Sequence, residues 1–179
     1  IGGPTRMKVG ADSLLYVLQW EGNGKVWRYR LDGTFVDQFT STGVEASIGI
    51  DWDAAGNLYV SSYNGFVQKY SPSGADLGKF ISTHLAGPTN IWFDAMGDLL
   101  VNDYNAGIVK RFGSDGAFKG NFITGVPQCE GVNFLADGSI LLGVGGTSSV
   151  RQYTPDGLIV KTLVEPGTLN LLTPNAVVI

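Results

Sequence analysis

This chain of 179 residues is poor in reactive and ionic side chains, with one cysteine, one histidine and a charged fraction of 16%. Cys129 alone forms no internal disulfide and no cysteine-based metal site, which needs several thiolates at set spacings. His84 alone excludes multi-histidine metal sites and leaves little material for triad chemistry. Lys and Arg number 12 against 16 Asp and Glu, a net charge of −4, and no basic cluster is present to neutralise phosphates. Nucleic acid is therefore not an expected partner. The longest apolar runs, such as Leu14 to Leu18, fall far short of the ~20 residues of a membrane-spanning helix, so no membrane insertion is expected. Nor does any window keep an apolar stripe at the helical period of about 3.6 residues.

What is abundant points to strands. The chain has 26 glycines, 4 tryptophans, 7 tyrosines and 9 phenylalanines, and 44% of it is hydrophobic. Glycine serves turns, while aromatic and β-branched residues suit a pleated surface. That much apolar material offsets chain entropy, which excludes intrinsic disorder.

The chain also repeats itself. Trp27 to Gly33 returns at Gln68 to Gly74, Lys110 to Gly116 and Arg151 to Gly157, with the closing glycines 41, 42 and 41 residues apart. Val26, Val67, Val109 and Val150 keep the same step. A second landmark, Asp53 to Val60, is matched at Asp94 to Val101 and Leu135 to Leu142, with Gly56, Gly97 and Gly138 each 41 apart. A third, Gly3-Pro4-Thr5, returns as Gly87-Pro88-Thr89 and in part as Thr173-Pro174. Each unit reads as four short strands, A to D, with an Asp-Gly turn closing the C–D hairpin. The B strands are apolar on consecutive residues, as at Leu14 to Val17 and Ile140 to Leu142, which predicts burial of both faces. Small antiparallel sheets buried on both sides and repeated at this period are the blades of a β-propeller. The predicted fold is thus all-β, with blades at approximately 3–43, 44–86, 87–128 and 129–172 and one further first strand at 173–179, in one domain spanning 1–179.

On these residues the chain resembles the NHL-repeat superfamily of propellers. The recurrent Gly-Pro, the Asp53 to Val60 run and the Val-x-x-aromatic strand ending in Asp-Gly carry the resemblance over Gly3 to Ile179. It implies a six-bladed ring, so further blades or a second copy are expected to complete it, with the sequence continuing past Ile179 or before Ile1. Only Asp103 with Asn105 keeps part of the polar signature that follows strand B in such repeats, while Ser62 and Val144 depart from it.

Two candidate sites follow. The B–C and D–A loops share one face of such a propeller, and they vary in sequence and length, which is where function concentrates. Trp20, Tyr63 and Tyr104 open three of the B–C loops at matching positions, with Asn105 and Glu45 nearby. They read either as a platform for a sugar or peptide or as rings filling the seams between blades. Near the channel, Glu130, Asn90 and Asp103 form an oxygen-rich, histidine-poor set of the kind that suits Ca²⁺ or Mg²⁺ if it converges. Cys129 to Phe134 is similar to the Glu-Gly-Pro opening of gluconolactonase-type propellers, with Val132 in place of the proline. That resemblance implies Glu130 and Asn90 as ligands and Asp103 as the last ligand and base. Streptogramin-lyase-type propellers are similar in repeat form, and His84 would be the histidine of their chemistry. The expected function is a non-catalytic binding or scaffold module engaging a protein or glycan on its loop face, with no cofactor. The alternative is a metal-dependent lactonase or lyase. Low charge and many Thr, Asn and Gly suit a secreted or surface bacterial protein.

Overall fold

The computed structural model describes residues 2–178, and these fold into four four-stranded antiparallel sheets, each ordered as in the sequence. Blade 1 holds β1 (Pro4–Val9), β2 (Leu15–Gln19), β3 (Trp27–Tyr29) and β4 (Phe35–Gln38). Blade 2 holds β5 (Ser47–Trp52), β6 (Leu58–Ser62), β7 (Phe66–Tyr70) and β8 (Asp76–Ile81). Blade 3 holds β9 (Pro88–Phe93), β10 (Leu99–Asp103), β11 (Ile108–Phe112) and β12 (Phe118–Thr124). Blade 4 holds β13 (Cys129–Phe134), β14 (Ile140–Val144), β15 (Ser149–Tyr153) and β16 (Ile159–Val164). The strands of the four blades span residues 4–38, 47–81, 88–124 and 129–164. Helix is confined to short 3₁₀ turns at Gly145–Thr147 and Thr168–Asn170.

The sequence landmarks have physical causes. At the A–B turn the Asp53 carboxylate accepts the N–H groups of Ala55 and Asn57, and Asp94 does the same for Met96 and Asp98. The threonine after Pro4 and Pro88 is an inter-blade tie. Thr5 Oγ1 donates to the Ser47 carbonyl (2.7 Å) and Thr89 Oγ1 to the Cys129 carbonyl (3.1 Å). Every residue of β6, β10 and β14 is buried, as the unbroken apolar runs predicted, while in blade 1 Leu14 and Leu15 are only partly buried and Tyr16 to Gln19 are buried.

In all four blades the first strand carries one extra residue against the second. Pro4 pairs with Gln19 and Met7 with Val17, and the same slip lies between Ser47 and Ile50, Pro88 and Ile91, and Cys129 and Val132. A bulge of this kind bends the strand and re-aims its side chains. It falls on Arg6, Gly49, Asn90 and Gly131. The first strands pack in succession, β1 on β5, β5 on β9 and β9 on β13, and so line a central channel. Across that channel Arg6 Nη2 of blade 1 reaches Glu130 Oε1 of blade 4 at 3.4 Å.

Residues 173–178 do not form the additional strand that the repeat predicts, since a strand needs a hydrogen-bonded neighbour and this segment has none. They lie instead against blade 4, where Asn133 Nδ2 donates to the Val177 carbonyl (3.1 Å). At the matching place on blade 2 the carboxylate of Asp51 contacts the next blade with the opposite polarity, accepting the Phe93 N–H (3.0 Å). Ile179 lies outside the described residues.

Buried aromatic clasps close the seams. Tyr16 meets Phe39 and Trp52 edge-on at 5.3 and 5.0 Å, and Tyr59 meets Phe80 and Phe93 at 4.9 Å each. Burial raises the phenol pKa of Tyr16, Tyr59, Tyr70 and Tyr153 above its ordinary value. A raised folded-state pKa means that the unfolded chain ionises first. The stabilisation is therefore complete below the unfolded value of ~10 and is lost as pH rises through and beyond it. Burial shifts the Cys129 thiol in the same direction from a lower ordinary value, so urea midpoints measured from pH 7 to 11 should be level at first, begin to fall near pH 9 and fall more steeply above about pH 10.

Candidate functional site

The loop face is built from one backbone bond repeated around the propeller. The residue that follows the second strand donates its N–H to the loop entering the same blade. Trp20 donates to the Gly3 carbonyl (2.7 Å), Tyr63 to Ala46 (2.9 Å), Tyr104 to Gly87 (2.9 Å) and Gly145 to Gln128 (3.1 Å). Three of these pinned positions carry a ring, and the fourth carries none.

The structure brings those rings into one row. Trp20 and Tyr63 have centroids 5.9 Å apart, and Tyr63 and Tyr104 are 6.2 Å apart, with interplanar angles of 51° and 64°. Trp20 stays 41% exposed, while both tyrosines are half-buried. Asn105 locks the middle of the row. Its Oδ1 accepts from the Tyr63 hydroxyl (2.9 Å), and its Nδ2 donates to the Ala86 carbonyl (3.1 Å). Both side chains fold over Gly87, where a Cβ would meet the Asn105 amide and force it to move. The Glu45–Ala46 backbone runs between the first two rings. Ser62 Oγ donates to the Glu45 carbonyl (2.6 Å), and the Ala46 N–H donates to the Trp20 carbonyl (3.3 Å). The Glu45 residue itself is exposed. Burial, then the nearby Tyr63 and the charge of Glu130, raise the Tyr104 phenol pKa. The rings thus pack along the seams and still present an outward surface.

The oxygen-rich set is brought together only in part. Asn90 Nδ2 donates to the Glu130 carbonyl (2.5 Å), as does Asn102 Nδ2 (2.9 Å), so these residues share the channel wall. The Glu130 carboxyl is pushed up by burial, with the Arg6 guanidinium opposing. Asp103 serves the framework instead. Fully buried, it accepts the N–H groups of Ala86 (2.9 Å) and Gly87 (2.8 Å) and pairs with Lys110 Nζ at 2.7 Å. A cation bound by Asp103 would have to compete with the Lys110 ammonium for the same buried carboxylate. Among the described residues no group of three or more His, Cys, Asp and Glu side chains converges as metal ligands would.

His84 stacks on Phe118 at 4.7 Å, and its Nδ1 meets Thr83 Oγ1 (3.0 Å). The Cys129 thiol is pushed up to about 12 by burial, which leaves it un-ionised at neutral pH. Sequence reading missed a different feature, a cavity of about 250 Å³ in the channel lined by Arg6, Lys8, Asn90, Trp92 and Asn133 among others. The one available signal was Arg6, a cation at the bulge position where the other blades carry Gly49, Asn90 and Gly131.

No family model and no curated protein matches the sequence. Solved structures do. A putative gluconolactonase is 20% identical with a TM-score of 0.72, covering 91% of this chain and 64% of its own. Nidogen in a nidogen–laminin complex is 18% identical at a TM-score of 0.78, covering 94% and 65%. Virginiamycin B lyase from Staphylococcus aureus is 14% identical at 0.72, covering 92% and 56%. The chain therefore spans between 56% and 65% of the length of these neighbours. Likeness at such identities concerns fold, and neighbours named as enzymes stand beside one crystallised on another protein. By fold, the chain is a β-propeller of four four-stranded blades.

Proposed function

We propose that this propeller is a non-catalytic, NHL-like binding module whose loop face engages a protein or glycan through Trp20, Tyr63 and Tyr104, flanked by Asn105 and Glu45. The observation that carries the reading is the continuous row of three rings, 5.9 and 6.2 Å apart and partly exposed. Rings already fixed by backbone bonds and by Asn105 lose little conformational freedom on contact with a ligand. The nidogen–laminin complex is a precedent for a propeller of this fold that meets another protein. The lactonase or lyase reading has precedent by name among the neighbours, but it asks for an Asp103 that Lys110 and two amides already hold.

The proposal includes a secreted or cell-surface bacterial setting, and completion of a six-bladed ring by further blades or a second copy. Two features support the latter. An added Cβ at Gly33 of blade 1 meets nothing within 4 Å, whereas at Gly74 and Gly116 it would strike the preceding blade. Met7 and Val9 on the same blade are 64% and 50% exposed.

Binding to a panel of soluble oligosaccharides and to an immobilised peptide library tests the loop-face reading. With a ligand in hand, Tyr63→Ala and Trp20→Ala are each expected to weaken it by at least ~10-fold. Phe35→Ala, on the outer strand of blade 1, should leave it unchanged. Full affinity in both ring variants, with the fold intact, would sink the reading.

A further inference from the structure

We propose that the central channel is a second binding site, for a small organic carboxylate with an apolar body, in which Arg6 holds the carboxylate. The site is independent of the loop-face row. A guanidinium offers five N–H donors. Among the described residues the Arg6 side chain is 22% exposed, its only ion pair is the 3.4 Å contact to Glu130, and its Nε is buried with no hydrogen-bond partner. An orphaned, desolvated donor of this kind is costly unless an acceptor arrives. The adjoining cavity of about 250 Å³ has room for one.

The wall of that cavity specifies the ligand. Its charged residues are Arg6 and Lys8, both cationic, while the carboxylates that pair with them approach from outside the wall. Asn90 and Asn133 add amide donors, each of which spends one hydrogen on a backbone carbonyl. Ile50, Trp92 and Val132 supply apolar surface beside this polar end. A carboxylate meets a guanidinium through two parallel N–H···O bonds, and a neutral amide of the same shape does not. Glu130 is then an internal competitor, since it occupies the same guanidinium through a single long contact.

Benzoate and its neutral isostere benzamide are the probes, with titration calorimetry and saturation-transfer NMR as readouts on the intact chain. Saturable benzoate binding is expected, with benzamide at least ~10-fold weaker. Arg6→Lys, which keeps the charge and removes the fork, should weaken benzoate by ~10-fold. Glu130→Gln should tighten it several-fold by releasing Arg6. Lys8→Gln gives a milder loss and keeps the test alive should Arg6 variants fail to fold. Tyr63→Ala should leave benzoate affinity untouched, which separates this site from the loop face. Absence of saturable benzoate binding, equal affinity for benzamide, or unchanged benzoate affinity in folded Arg6→Lys would each overturn the proposal.

Discussion

Asp103→Ala is expected to cost about 3–5 kcal/mol of stability, because it strands a buried cation and two amides together. The carboxylate is fully buried and accepts from Ala86, Gly87 and Lys110 at 2.7–2.9 Å, while Lys110 is 13% exposed and also donates to the His84 carbonyl. Truncation leaves the ammonium without its counter-charge. It also frees the loop on which the Tyr104 N–H is anchored through the Gly87 carbonyl. The loss should appear in chemical denaturation as a lower midpoint with an unchanged slope. It should persist at high salt, since a pair this enclosed is screened little. Lys110→Met, which removes the cation and keeps the stem, should cost less than Asp103→Ala, and the reverse order would refute the assignment of Asp103 as the hub.

Tyr59→Ala is the second large effect, again about 3–5 kcal/mol by analogy with truncation of buried aromatics. The ring is almost wholly enclosed, meets Phe80 and Phe93 at 4.9 Å each, and donates its hydroxyl to Asp53 at 3.0 Å. Tyr59→Phe keeps the clasp and loses the hydroxyl bond, so it should cost only about 1 kcal/mol. Because Phe93 belongs to the next blade, a double-mutant cycle of Tyr59→Ala with Phe93→Ala should show a coupling above about 0.5 kcal/mol. Additivity would mean that the seam is held elsewhere.

Blades were legible in the sequence because a repeat states the same local chemistry several times. The Asp-Gly turn and the two-sided β10 each respond to local geometry that recurs every 41 or 42 residues. The aromatic row was legible for the same reason, as Trp20, Tyr63 and Tyr104 share a register. What stayed hidden is what breaks the repeat or spans it. Asp103 reads as a free ligand in sequence, and only the β10–β11 ladder, which sets Lys110 against Val101, brings the lysine that closes it. Arg6 and Glu130 are 124 positions apart, and no spacing rule relates the first blade to the fourth. The segment at 173–178 repeats a landmark without the partner strand that would turn it into a β-strand, because pairing is a property of two segments.

The Arg6–Glu130 contact bears on how the propeller comes apart. A row of units that touch mainly their neighbours behaves as a one-dimensional array, and such arrays fray from their termini. Blades 2 and 3 are each flanked on both sides, so amide exchange should be slowest in β6 and β10. Blades 1 and 4 would fray independently if nothing linked them. Within the four described blades the ion pair across the lumen links blade 1 to blade 4, so that opening either one first breaks a contact held by the other. Exchange in the outer strands β4 and β16 then becomes correlated, and Glu130→Gln, by cutting that link, should quicken both although it lies on the inner strand of only one.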